Sequence, residues 1–238
     1  MGDLFVLWDV DYTLVNAAGL GTRLYEDVFR EIFGRDLPAV APKAGRTDRA
    51  IILDTLALAG IPEPSARVDD FLAALARRVT AVDGAAAQVR ALAGASAAIA
   101  ALAVAGLCQS VLTGNIRPLA ALKLKAAGLG EHLDLDVGAY GDAHEARAEL
   151  VPVARQAARQ AYGRDYAGLS TVLVGDTPLD VTAALATDAR AVGVATGSFS
   201  VAELAAAGAH AVLPDLTDAR LVLAAVTGGR DRTRSPHS

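Results

Sequence analysis

Two aspartates one residue apart, Asp9 and Asp11, close the short apolar run Leu4-Phe5-Val6-Leu7-Trp8. Paired carboxylates beside apolar residues are costly unless something positive binds them, and a divalent cation is the natural counter-charge. A second acidic pair follows another apolar run, in Val172-Leu173-Val174-Gly175-Asp176-Thr177-Pro178-Leu179-Asp180. There a flexible glycine, an acid and a helix-starting proline precede the last acid, an arrangement hard to assemble by accident. Between the two pairs lies Thr113-Gly114-Asn115, directly after Val111-Leu112. A hydroxyl, a glycine amide and a carboxamide at a strand end are neutral donors suited to phosphate oxygens. Each group also has a plainer use, as a turn aspartate or as a helix N-cap at Asn115, Asp176 or Thr177. Short patterns recur by chance, so the elements that carry them must be weighed with them.

Strand and helix signals alternate over most of the chain. The apolar runs predict strands at Leu4–Trp8, Leu107–Leu112, Leu133–Val137, Thr171–Val174, Ala191–Val194 and Ala211–Leu213. Helical patterns fall between them at Ala95–Ala105, Pro118–Ala127, Glu145–Tyr162, Pro178–Ala186 and Val201–Ala207. This order predicts an α/β fold with a parallel, Rossmann-like sheet covered by helices. In such a sheet ligands collect beyond the carboxyl ends of the strands, which is where both acidic pairs and Thr113-Gly114-Asn115 would lie. The rhythm breaks from Asn16 to Arg90, where Leu20–Phe33, Asp48–Leu58 and Val68–Val82 read as helices and no strand is evident. The expected organisation is therefore a core of residues 1–15 and 91–227, a helical insert of residues 16–90, and a disordered tail of residues 228–238 with no large apolar anchor.

Bulk properties narrow the function. The chain has 238 residues, is 53% hydrophobic and 21% charged, and carries a formal net charge of -5. That balance suits a soluble globular protein and argues against nucleic acid as a partner, since phosphate backbones select clustered Lys and Arg. A small phosphorylated substrate needs only local positive charge. The single cysteine, Cys108, excludes an intramolecular disulfide framework and reads as a small buried hydrophobe in a reducing compartment. His132, His144, His210 and His237 have no metal-ligand spacing, so zinc is not expected. The first residues show no signal peptide, and the uncharged Ala91–Cys108 stretch is too rich in Ala and Gly for a membrane span. The expected location is cytoplasmic, without membrane association.

Asp9-Val10-Asp11-Tyr12-Thr13-Leu14 resembles the first motif of the haloacid dehalogenase superfamily, Asp-x-Asp-x-Thr followed by an aliphatic residue. Most members have glycine where Tyr12 stands. Thr113-Gly114-Asn115 resembles the second motif and Gly175–Asp180 the fourth, in the family order and at suitable strand ends. The resemblance implies a nucleophilic role for Asp9 and an acid/base role for Asp11. It implies phosphate contacts for Thr113, Gly114 and Asn115. It also implies Mg²⁺ at Asp9, Asp11, Asp176 and Asp180, with Asp180 either a direct ligand or a support. The third motif usually supplies lysine, but no lysine lies beyond Lys125. Arg147 stands in the likeliest place, where its planar fork would bridge Asp9 and phosphoryl oxygens.

The insert between the first and second motifs resembles the helical cap of phosphoglycolate phosphatase and β-phosphoglucomutase. In Gly45-Arg46-Thr47-Asp48, which begins a helix, Arg46 is a candidate for a substrate carboxylate or hydroxyl; alternatively Thr47 or Asp48 caps the helix while Arg46 is solvated. The resemblance implies a Mg²⁺-dependent phosphatase that acts on a small phosphorylated metabolite through an aspartyl-phosphate. A phosphosugar mutase uses the same residues, and a non-catalytic phospholigand-binding protein would be expected to lack one acid. A dehalogenase has no use for Asp11. Oligomeric state and substrate identity are not written in these motifs.

Overall fold

The computed structural model describes residues 4–81 and 85–229. Its centre is a five-stranded parallel sheet. In chain order the strands are β1 (Phe5–Trp8), β4 (Cys108–Val111), β5 (Thr171–Gly175), β6 (Arg190–Val194) and β7 (Ala211–Leu213), arranged β4-β1-β5-β6-β7. All four residues of β1 are buried because helices cover both faces. Successive side chains alternate between those faces. Val6 and Trp8 join one apolar cluster, and Phe5 and Leu7 join the other. With β1 between β4 and β5, residues that follow all three strands emerge at one edge.

Helices α4 (Ala95–Val104), α5 (Arg117–Ala126) and α9 (Ala219–Thr227) bury residues in the first cluster, while α6 (Leu150–Tyr162), α7 (Pro178–Leu185) and α8 (Val201–Ala206) bury theirs in the second. The Ala91–Cys108 stretch is thus a helix that leads into a strand. No helix among the described residues is long and apolar enough to cross a membrane. The expected α/β fold, a parallel sheet covered by helices, is the fold observed.

Three helices form the insert: α1 (Leu20–Phe33), α2 (Asp48–Leu58) and α3 (Val68–Thr80). Buried Tyr25, Phe29 and Phe71 pack between α1 and α3, with the Tyr25 and Phe71 ring centroids 5.7 Å apart. The expectation that no strand occurs between Asn16 and Arg90 fails at its two ends. There β2 (Val15–Asn16) and β3 (Arg90–Ala91) pair antiparallel, Asn16 against Arg90. Two residues are too few to display a strand periodicity. Val82, the expected last residue of the third helix, lies outside the described residues. So do residues 230–238 of the expected tail, while Gly228 and Gly229 close α9 with positive φ.

Two further expectations are corrected. Leu133–Val137 forms no strand, although its residues alternate apolar and acidic. Asp134 bends the chain instead: its carboxylate accepts from the Asp136 amide at 3.0 Å, and only a single bridge, Leu112 with Ala139, continues the pairing. Glu145–Tyr162 is not one helix. Residues Arg147–Glu149 make a 3₁₀ turn and α6 begins at Leu150. A proline ring clashes with the carbonyl four residues earlier in a regular helix, so Pro152 is tolerated only in the first turn.

Candidate active site

Asp9 continues the β1 ladder by one bond, its amide donating to the Val174 carbonyl at 2.8 Å. That register sets its carboxylate beside those of Asp176 and Asp180, which follow β5. One oxygen from each of the three lies within 4.8 Å of the others, and all three residues are buried. Asp176 accepts from the Thr13 hydroxyl at 3.3 Å. Thr177 caps α7 in a reciprocal box with Asp180: the Asp180 carboxylate accepts from the Thr177 hydroxyl at 2.7 Å and from its amide at 3.1 Å. Gly175 has no room for a side chain, since a Cβ there would stand 2.2 Å from the Asp180 carboxyl carbon.

Arg147 reaches this cluster from the 3₁₀ turn before α6. Its Nη2 donates to Asp9 Oδ1 at 2.7 Å and to the Leu112 carbonyl at 3.1 Å, and pairs with Asp180 Oδ1 at 2.6 Å. Its Nη1 donates to the Gly45 carbonyl at 3.4 Å, while Nε has no hydrogen-bond partner. Asp9 and Asp180 therefore share one guanidinium, while Asp176 lies beside them without a direct bond to it. Burial, only partly offset by Arg147, pushes Asp9 up to about 7. Burial together with the charges of Asp9 and Asp180 pushes Asp176 up to about 8. Burial disfavours the Arg147 cation, but Asp180 and Asp9 outweigh it and raise the group above its ordinary range. Three buried oxygen ligands with one cation are short of positive charge, and a hard divalent ion fits that donor set.

Asp11 points elsewhere. Its two oxygens accept from the Lys123 ammonium at 2.8 and 2.6 Å, and Oδ2 also accepts from the Asn115 amide at 2.7 Å. Asn115 donates as well to Thr113 Oγ1 at 2.8 Å. Thr113 and Asn115 thus stand beside the acidic groups, with Gly114 between them. Lys123 lies upstream of the stretch in which the third-motif cation is expected. The signal was present in α5, where Leu119, Ala120 and Leu124 mark the buried stripe that Lys123 shares.

The insert docks on the core through α2. The Asp48 amide donates to the Gly114 carbonyl at 2.7 Å and the Arg49 amide to Gly141 at 2.9 Å. The Asp48 carboxylate accepts from Tyr25 Oη at 2.6 Å and the Ile116 amide at 2.8 Å. Burial pushes Asp48 up to about 6. Contact is so close at Gly114 that a Cβ would stand 1.9 Å from the Arg46 carbonyl oxygen. Thr47 is the N-cap of α2. The Arg46 guanidinium turns to Asp54 at 2.6 Å and to the Ala50 and Pro42 carbonyls. Between insert and core lies a cavity of about 340 Å³, lined by Asp9, Asp11, Thr113 and Arg147 from the core and by Lys43 and Asp48 from the insert.

Among curated proteins, no relative matches the chain at a significant level. Solved structures do. A predicted phosphatase from Clostridium acetobutylicum is 19% identical with a TM-score of 0.67, covering 92% of this chain and 98% of that one. A Bacteroides vulgatus protein provisionally named a β-phosphoglucomutase is 16% identical with a TM-score of 0.65, covering 95% and 89%. A haloacid dehalogenase family hydrolase from Deinococcus radiodurans R1, solved with bound phosphate and sodium, is 28% identical with a TM-score of 0.55, covering 94% and 96%. The family model for haloacid dehalogenase-like hydrolases matches residues 6–185, from the strand that carries Asp9 through the helix that carries Asp180, and this chain is an enzyme of that family.

Proposed function

We propose that the protein is a Mg²⁺-dependent phosphomonoesterase acting on a small phosphorylated metabolite, with Asp9 as the covalent nucleophile. One observation carries the reading: Arg147 fixes one oxygen of Asp9 inside a buried, charge-deficient carboxylate cluster at the mouth of a cavity. An Asp9 held in this way is ready for in-line attack on phosphorus, and Arg147 lies where it can neutralise phosphoryl oxygens. Thr113, the Gly114 amide and Asn115 are the neutral donors for those oxygens. Asp9 and Asp176 are the proposed metal ligands, with Asp180 orienting Arg147; Mg²⁺, when bound, offsets the charge shared by carboxylates and phosphate. Asp11 moves the proton, first to the leaving oxygen and then from the attacking water. The insert acts as a cap that excludes water and holds the rest of the substrate. With Arg46 engaged by Asp54, its contact with substrate requires that pair to open.

The test is a panel of phosphomonoesters and sugar phosphates with Mg²⁺, scored for free phosphate against isomerised product. Wild-type protein should release phosphate, and Asp9→Asn should be inactive while melting normally. Substantial turnover by Asp9→Asn would refute covalent catalysis, and isomerised product in place of phosphate would make the enzyme a mutase.

A further inference from the structure

Lys123 enters the site from α5, outside the four motifs. It is 3% exposed, and lysine is almost never so buried unless paired. All three of its donors are used, on both oxygens of Asp11 and on Asn115 Oδ1 at 2.7 Å. A carboxylate offers about four acceptor positions. Among the described residues, Oδ2 receives Lys123 and Asn115, and Oδ1 receives Lys123 alone. One acceptor position therefore stays open, on Oδ1 of a carboxylate that lines the cavity.

A structural explanation alone is weak. An apolar residue on the buried stripe of α5 would pack without the cost of desolvating an ammonium, and buried ion pairs are often no more stable than such replacements. What the pair supplies is a fixed direction. Lys123 and Asn115 tie the Asp11 side chain to themselves and not to the Asp9, Asp176 and Asp180 cluster.

We propose that Lys123 is a positioning residue, which orients Asp11 so that its open Oδ1 position takes the proton of the water that hydrolyses the phospho-enzyme; this rests on the phosphatase reading above. In that step the water oxygen bonds to phosphorus while the bond from phosphorus to the Asp9 oxygen breaks. The electron pair of that bond returns to the Asp9 carboxylate, and a water proton passes to Asp11. That proton goes to the leaving oxygen of the next substrate.

The experiment compares the full-length wild type with Lys123→Met, Asp11→Asn and the double variant, using p-nitrophenyl phosphate and Mg²⁺. Nitrophenolate leaves without needing a proton, so this substrate isolates the hydrolytic step. Lys123→Met should lower kcat about 30-fold or more and lower KM with it, leaving kcat/KM within about 3-fold of wild type, because only the step after phosphoryl transfer is slowed. Acid-quenched Lys123→Met should carry more phosphoryl group per enzyme than wild type. On the Asp11→Asn background the same change should cost less than about 2-fold, because residues acting as a unit are not additive. Unchanged kcat, lower turnover without extra phospho-enzyme, or a full additional loss on Asp11→Asn would each overturn the proposal. If Lys123→Met does not fold, Lys123→Gln, which keeps a donor without the charge, is held to the same outcomes. A wild type that releases phosphate but never carries it on Asp9 would remove the covalent reading, and this inference with it.

Discussion

The site contains two cation–carboxylate groupings at the ends of neighbouring strands, and they differ in charge balance. Among the described residues Arg147 is the cation paired within a cluster of three buried acids, with its Nη2 shared between Asp9 and Asp180 and its Nε without a hydrogen-bond partner. Lys123 faces one acid, Asp11, with every donor used. The first grouping is under-compensated, and Asp9 and Asp176 are pushed up to about 7 and about 8 because burial outweighs the available positive charge. The second is matched one to one and partly open, the Asp11 side chain being 32% exposed. On the proposed reading, the difference separates two tasks. Under-compensated buried carboxylates favour an arriving cation, whereas a compensated and directed carboxylate suits proton transfer. Arginine and lysine sit differently here: one guanidinium nitrogen of Arg147 bridges two acids while the other reaches the Gly45 carbonyl, whereas the Lys123 ammonium sits astride both oxygens of one acid.

The largest effect that would break this contrast is removal of the shared cation. Arg147→Ala should lower kcat by about two orders of magnitude or more, as expected when a preorganised electrostatic contact is lost. Arg147→Lys should recover only part of that loss, since charge returns without the fork. Near-normal turnover by Arg147→Ala would show that the three acids do not depend on one guanidinium.

A smaller effect sharpens the comparison from outside both groupings. Asp48 is buried beside Tyr25 with no ion-pair partner among the described residues; burial outweighs the nearby charge of Lys123, and its pKa of about 6 lies above the ordinary carboxylate value of about 3.9. A raised acid contributes stability that is present below its unfolded pKa and lost as pH rises through the folded one. Asp48→Asn should therefore gain on wild type between pH 4 and pH 7, by the order of 2 kcal/mol at most. Melting curves across that range provide the check, and a pH-independent difference would mean that Asp48 ionises freely in the fold.

The smallest effect concerns the loop between the two groupings. Tyr12 has φ 59°, in the left-handed region that glycine prefers. Tyr12→Gly should relieve strain while adding freedom to the unfolded chain, leaving stability within about 1 kcal/mol of wild type. Denaturant unfolding would measure it, and a loss well above that size would mean that the tyrosine ring, not the backbone turn, holds this loop.

Much of the architecture was legible because it follows from local patterns. Continuous apolar runs ending in Asp9, Thr113 and Asp176 marked strands buried on both faces, and the loss of that alternation after Asn16 marked the helical insert. Where local signals conflicted, the pattern misled. Leu133–Val137 has strand alternation, yet a side-chain bond from Asp134 to the backbone bends it away. Pro152 stands in the first turn of α6, and only the folded chain shows Arg147 ahead of that helix in a 3₁₀ turn.

By itself the sequence determined which acids, hydroxyls and amides follow which strands, because side-chain type and strand order are written in the chain. Tertiary structure decided how the charges pair. Arg147 and Asp9 are 138 residues apart, and Lys123 and Asp11 are 112 apart. No local pattern encodes such a meeting. It depends on the parallel register that sets β1 between β4 and β5, and on the depth at which each helix buries its polar residue. The same reason explains Arg46, which stands at the expected helix start but turns its guanidinium to Asp54. Burial makes an ion pair matter, and burial is a property of the fold.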